Sequence, residues 1–500
     1  MKFYELPPEV NNRISNTDMR PYVRIVFEKQ GGDIFVNDSD IIECVITSYK
    51  STDGGIINYG EIIFDNTNGS FDVENDEELA PGLSVEVWYC FGDNSSTFFR
   101  FHLFVDDDGF QTEATGFLNR TCKIKLVDLS SRLDNAKLQR NWSDSETVVD
   151  NVVCDKTNPA ESLVHIIARR AGIEANQINC GYLPFNIPYV VLNNTVWKEL
   201  CALARAYNAV VECGRDMTLS FIESPYDTEN EYSEETGFDL TEKQITHYRF
   251  FSRNDNYANN IRLKYTRYVR TELQELWRYS DGPAWYDEDM NACYPFTDDS
   301  RAIIRDADYQ AIYVAKNEEG KTRNVVWADN LTTEQEFINQ MIVADGSEKP
   351  GVIQFDTTTY KDRAVIQLTR NNNLIALYKA AIYGSAIISE TNFSVYVKDD
   401  EEIARYGQIA KNVTSKFLSD DEIEGIPFYE RRANDFLREC VNKKSGWYVT
   451  TFLCLVGARV GAFMNIRLNE NKAFKKVRID ELTLRYKKDC AFSTELWLSD

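Results

Sequence analysis

The 500-residue chain is 43% hydrophobic and 27% charged, proportions that exclude a disordered polymer and suffice for several folded cores. Its 79 acidic residues outnumber 55 basic ones, and the net charge of -24 argues against gripping nucleic acid or anchoring stably to an anionic membrane. Aromatics at 13% favour β-structure, where flat rings pack on pleated surfaces.

Residues 1–19 read as an N-terminal arm without an apolar signal core, and no run approaches the length of a membrane span. Residues 20–135 read as consecutive strands at 22–27, 41–46, 60–64, 83–89, 98–105, 110–115 and 123–129. Turns rich in Gly, Asn and Asp split them, the acidic Asp106, Asp107, Asp108 and Gly109 reading as a hairpin turn. Short strands at this spacing predict a sandwich or barrel.

The texture changes near residue 150, inside a small α/β domain assigned to 136–225. Residues 162–172 have helical periodicity and a closing Gly172, and Trp197, Leu200, Cys201, Ala204 and Tyr207 recur at three- and four-residue steps. Strands at 209–212 and 217–222 follow. An acidic linker, 223–241, opens a second β-domain, 226–399, with strands at 257–265, 364–368, 374–382 and 393–397 and a polar insertion between 277 and 353. The segment 400–500 completes that domain with a loop at 400–411, a helix at 426–440, and strands at 447–456, 463–468 and 477–497. The helix is amphipathic: Phe428, Arg432, Asp435 and Glu439 interleave with Ala433, Phe436, Leu437 and Cys440. The fold class read from the residues is α+β, mainly β: two β-rich domains, a small α/β domain between them, and a late amphipathic helix.

Chemistry is sparse. The three histidines, His102, His165 and His247, fit no HExxH metal site and read as structural. Residues 315–322 resemble a phosphate loop, but Ala315 replaces the first glycine and Glu318 and Glu319 stand where bare backbone N–H groups are needed, so a hairpin tip is the better reading. Asp287, Asp289 and Asn291 have calcium-loop spacing, yet Ala292 and Asp298 replace the required Gly and Glu. Eleven dispersed cysteines without a CxxC pair read as reduced thiols in core positions. No residue emerges as catalytic, cofactor-binding or metal-ligating, no cofactor is implied, and a non-enzymatic role is expected.

The order of parts is more informative. The β-domain ends in Val127, Asp128, Leu129, Ser130, Ser131, Arg132 and Leu133. An Ala-x-x-Leu-x-x-Ile-Ile-Ala-x-x-x-Gly unit (160–172) follows, then Ile187-Pro188, the run Asn194 to Leu200, the strand Asn260 to Tyr265, and the helix containing Ala433 to Leu437. Pro81-Gly82-Leu83-Ser84-Val85-Glu86-Val87 and Tyr406-Gly407 add local matches, while Gly461-Ala462 replaces a common Gly-Asp pair. This order resembles the phage tail hub family, which includes the baseplate hub of contractile tails and the structural N-terminal part of siphophage tail-associated lysins.

The resemblance implies that the two β-rich domains are tube-like β-barrel domains, so that a homotrimer makes a pseudo-sixfold ring joining a hexameric tail tube or distal tail protein to a threefold tip or spike protein. A tape-measure protein is a further candidate partner. The implied location is the virion tail tip, assembled in the host bacterial cytoplasm, with no specific nucleic-acid binding. The sequence ends at Asp500 after a predicted strand, so a hydrolase of the lysin branch is expected to be either missing or a separate protein. Two alternatives stay open: a tail-tip protein that binds or degrades cell-wall carbohydrate, and the hub of a bacterial contractile injection device.

Overall fold

The computed structural model describes residues 21–499 apart from 52–53, 75, 92–97, 116–118, 137–145, 156–158, 182, 215, 224–237, 253–256, 279–284, 287–291, 294–306, 339, 343–347, 351–352, 371–375, 419–421, 424, 442–444 and 489–491. The fold is α+β and mainly β. The chain divides into two units, one of residues 1–264 with 394–500 and one of residues 265–393.

The first unit opens with β1 (Pro21–Glu28), β2 (Ile34–Val36), β3 (Ile41–Lys50), β4 (Gly55–Asp65), β5 (Ser84–Phe91), β6 (Phe98–Thr115) and β7 (Asn119–Val127). The α/β segment contributes α1 (Leu129–Asn135), β8 (Glu146–Cys154), α2 (Leu163–Ala168), β9 (Ile178–Cys180), β10 (Leu183–Leu192), α3 (Val196–Ala206), β11 (Ala209–Cys213) and β12 (Leu219–Glu223). Then come β13 (Asp239–Thr241) and β14 (Ile245–Ser252). The C-terminal part supplies α4 (Asp400–Tyr406), α5 (Phe428–Val441), β15 (Ser445–Thr451), β16 (Phe463–Arg467), β17 (Lys475–Lys487) and β18 (Ser493–Ser499).

One sheet of 16 strands runs through this unit, its main path ordered β14-β15-β18-β17-β3-β4-β7-β6-β5-β1-β2. The N-terminal strands and the C-terminal strands are thus hydrogen-bonded directly. The seam is β3 against β17, antiparallel from Glu43 opposite Lys487 to Tyr49 opposite Glu481. There the buried hydroxyls of Thr47 and Thr483 meet at 3.0 Å.

Period-two alternation drives the core. Val23, Ile25 and Phe27 of β1 are fully buried, as are Val85, Val87 and Tyr89 of β5. In β17 the inward series changes phase from Val477 and Ile479 to Leu482 and Leu484, because a bulge between Ile479 and Glu481 inserts a residue into the ladder. The expected hairpin at 106–109 is not formed. Both flanks belong to β6 and pair with β7, from Phe104 opposite Val127 to Phe110 opposite Ile124, with the acidic residues in a register shift between them. Polar residues and Gly109, at φ +64°, serve a bulge as well as a turn.

Close packing leaves little room at some strand positions. A Cβ on Gly446 of β15 would lie 2.7 Å from the Leu498 carbonyl oxygen and 2.6 Å from the Phe251 ring. The ring can swing aside, but the carbonyl belongs to the ladder. Gly446→Ala is therefore expected to lower the urea midpoint by an amount equivalent to about 1–3 kcal/mol, as overpacking does.

Asp128, which follows β7, is the N-cap of α1. Its Oδ1 accepts from the Ser130 N–H at 2.9 Å and from the Ser130 hydroxyl, while Oδ2 accepts from the Asn58 N–H at 2.7 Å and the Asn58 amide at 3.0 Å. Burial still pushes this carboxyl up to about 6, against the hydrogen bonds that favour its charged form. A raised folded-state value means the stabilisation is complete below the unfolded pKa and is lost as pH climbs through about 6. Unfolding free energy measured from pH 4 to 7 is expected to fall by up to about 3 kcal/mol more for the wild type than for Asp128→Asn. Parallel profiles would remove Asp128 as the cause.

In the α/β segment, Trp197, Leu200, Cys201, Ala204 and Tyr207 are all buried, the inward stripe their spacing predicts. Two sequence expectations need correction. Residues 400–406 form α4 rather than a loop: Asp399 caps Glu402, three acidic residues fill the first turn, and Gly407 at φ +76° ends it. On α5, Arg432 and Asp435 are buried with the apolar stripe rather than solvated.

The second unit has a core of small and aliphatic side chains, including Leu276, Ala311, Tyr313, Ala328, Ile382 and Ala386. Its main pairing sets Thr322–Ile338 antiparallel to Ala376–Lys398, with three register shifts. The latter is one strand where the sequence suggested two.

Seven cysteines (Cys44, Cys90, Cys122, Cys201, Cys213, Cys440 and Cys454) are buried and outside any disulfide. Burial pushes the Cys44 thiol up to about 12 and Cys122 to about 11, so both remain protonated core fillers. Cys154 and Cys180 depart from the expectation of reduced thiols: they are joined in a disulfide, with Cα atoms 6.5 Å apart.

Candidate functional site

The first unit's sheet ends on an edge strand rich in aromatic side chains. β14 pairs with β15 on one side, from Ile245 opposite Thr451 to Ser252 opposite Ser445. Among the described residues nothing pairs with its other side. On one face of β14, Tyr248 lies opposite Val449 and Phe250 opposite Trp447, both core residues, yet Tyr248 is 50% and Phe250 54% exposed. On the other face the aromatics continue. Phe251 lies 5.6 Å from Trp497, Trp497 lies 5.2 Å from Tyr448, and the His247 ring is 6.2 Å from Tyr448. An eight-residue edge strand with rings on both faces offers free backbone groups and apolar surface together, the combination that recruits another chain. The opposite end of the sheet, β2, is only three residues long, with Phe35 50% exposed beneath the Arg24 guanidinium.

The register of β1, β5 and β6 gathers the titratable cluster of this unit. Ser84 lies opposite Glu28, and Glu86 opposite His102. The Ser84 hydroxyl is 2.6 Å from His102 Nε2 and donates to Glu28 at 2.6 Å. His102 Nδ1 is 3.9 Å from Glu86. Burial holds His102 below its ordinary value despite the two carboxylates, which act in the opposite direction. Glu28, Glu86 and His102 are close enough to share a metal ion. Glu86, however, already accepts from Arg100 at 2.6 Å and from the Trp88 indole at 2.8 Å, so an incoming cation would sit against the Arg100 guanidinium. The cluster is a satisfied cross-strand network.

The other motifs fall as ordinary structure. Residues 314–316 and 322–324 pair as a hairpin, with Gly320 at φ +75° and the Asn317 N–H bonded to the Lys321 carbonyl at 3.0 Å. The turn's backbone is thus engaged in the hairpin rather than arranged around a phosphate. His165 bonds the Ala160 carbonyl through Nδ1 at 3.0 Å. Asp287, Asp289, Asn291 and Asp298 lie outside the described residues. The sequence reading missed β14 altogether, because aromatics on both faces hide the in–out alternation that marks a strand.

No family model and no curated protein matches the chain. Among solved structures, it is similar to the 43 kDa tail protein of prophage MuSo2 from Shewanella oneidensis, at 10% identity and a TM-score of 0.49 over 96% of this chain and 100% of that one. It is also similar to a tail protein from Neisseria meningitidis MC58, at 10% identity and a TM-score of 0.49, covering 96% of each chain. A third is the prophage tail protein gp18 from Listeria monocytogenes EGD-e, at 9% identity and a TM-score of 0.43 over 96% of this chain and 94% of that one.

Proposed function

We propose that this chain is a structural, non-enzymatic hub at the distal end of a phage tail, where a homotrimer joins the hexameric tube to a threefold tip or spike. The observation that carries the reading is the doubly aromatic edge of β14, open among the described residues, at the end of a sheet that already fuses the N-terminal and C-terminal strands. Such an edge suits a protein whose work is to hold copies of itself together. The order of sequence motifs supports the same role. The charge of -24 suits the wall of a channel along which DNA slides without adhering.

Light scattering on the purified chain tests this. The expected mass is three times 57.6 kDa. A sixfold ring would instead indicate a tube or distal tail protein. A monomer that binds peptidoglycan would favour the carbohydrate reading, for which Trp497 at 43% exposure beside Tyr448 is the relevant surface.

A further inference from the structure

We propose that the cleft between α3 and residues 414–416 binds an oxyanion, a phosphate or a carboxylate. Along one face of α3 stand Lys198, Ala202 and Arg205, at helical steps of four and three. Thr414, Ser415 and Lys416 line the opposite wall and Asn194 one end, around a cavity of about 370 Å³. Ala202 keeps the middle of the helix face low, and the volume lies in the range of small-ligand sites.

The charges decide what such a cleft would hold. Lys416 is neutralised by Glu199, which is fully buried, with 2.6 Å between Nζ and Oε2. That carboxylate is also fixed by the N–H groups of Asn193 and Asn194 at 3.1 and 3.0 Å. Lys198 is only loosely matched: its Nζ is 3.9 Å from Asp134, a carboxylate that already accepts from Thr195 at 2.6 Å. The Arg205 guanidinium lies 5.7 Å from the Phe436 ring, and no described carboxylate pairs with it. The cleft therefore keeps positive charge to spare, in a chain with a net charge of -24.

Donors complete the picture. Ser415 Oγ is shielded from solvent and has no hydrogen-bond partner among the described residues, which costs free energy until an acceptor arrives. A guanidinium, an ammonium and two hydroxyls line the cleft as donors for the oxygens of a phosphate or carboxylate, beside the Asn194 amide, which also donates to Asn193 Oδ1 at 3.3 Å. This site goes beyond the hub reading and does not depend on it.

Isothermal titration of the full chain at low salt would use inorganic phosphate in one arm and a triglutamate peptide in the other. At least one arm is expected to saturate at one per chain and to weaken with added salt. Arg205→Gln and Lys198→Gln should each weaken it about tenfold, a loss of roughly 1.4 kcal/mol. Saturation by phosphate would identify a phosphate ligand; saturation by the peptide alone would identify a partner's carboxylates. The proposal is overturned if neither arm saturates, or if both variants bind like the wild type. Arg205 holds the buried Arg432 through its backbone carbonyl, so the side-chain change should leave the fold intact. Should Arg205→Gln fail to fold, the exposed Lys198→Gln decides alone.

Discussion

Arg432→Leu is expected to lower the unfolding free energy of the first unit by about 3–5 kcal/mol, the range seen when one partner of a buried ionic network is removed. Arg432 sits on α5 at 2% exposure. Its Nε and Nη2 both donate to the Arg205 carbonyl, at 3.0 and 2.9 Å. That carbonyl belongs to the last turn of α3, where no intrahelical N–H remains to satisfy it, and a cation is favoured at that end of the dipole. The same guanidinium reaches Glu439 at 3.3 Å and Asp435 at 3.8 Å, and stacks 3.7 Å from the Phe436 ring. Leucine would fill the volume but leave the Arg205 carbonyl without its two donors and remove the guanidinium from beside Glu439 and Asp435. Arg432→Lys should recover little, because a point ammonium cannot both fork onto one carbonyl and lie flat on a ring. The check is the melting temperature and urea midpoint of both variants. A Leu variant within about 0.5 kcal/mol of wild type would show that water replaces the guanidinium.

The same residue marks where the sequence stopped being legible. Sequence periodicity finds α5 and its apolar stripe. It cannot find the carbonyl 227 residues away that makes burying an arginine favourable. Local signals did locate most strands of the N-terminal β-domain, since Val23, Ile25 and Phe27 alternate with Arg24 and Glu28 whatever their neighbours do. They failed where one local signal serves two structures. Asp106 to Gly109 reads as a turn, and only the register with β7 turns it into a bulge. Charge density hid α4, although Asp399, the first-turn acids and Gly407 were all in place. The seam between β3 and β17 joins residues 436 positions apart, so no local pattern announces it. Of the candidate interface, the aromatic content was visible but not its strand. Tyr248 and Phe250 gain meaning only once β14 is known to be an edge.

Placing glutamate at both Tyr248 and Phe250 should convert the expected trimer into a folded monomer. Each ring exposes about half its surface on the core-side face of a strand whose outer edge is unpaired among the described residues, so burying both against another chain would give the anchor-like contacts that dominate association. Two carboxylates there would need desolvation against apolar surface, and in a chain already at -24 they would add repulsion between copies. The expected loss exceeds about 2 kcal/mol per position, enough to weaken self-association by well over a hundredfold. The fold should survive, because neither ring is buried and the β14–β15 ladder needs only backbone. A control is Tyr406→Glu, on a ring 61% exposed that belongs to α4 rather than to β14, which should leave the mass unchanged. Sedimentation velocity with circular dichroism reads both properties at once. A double variant that keeps three chains would move the interface off β14 while leaving the trimer standing. A wild type that never exceeds one chain would remove the self-association on which the hub reading depends.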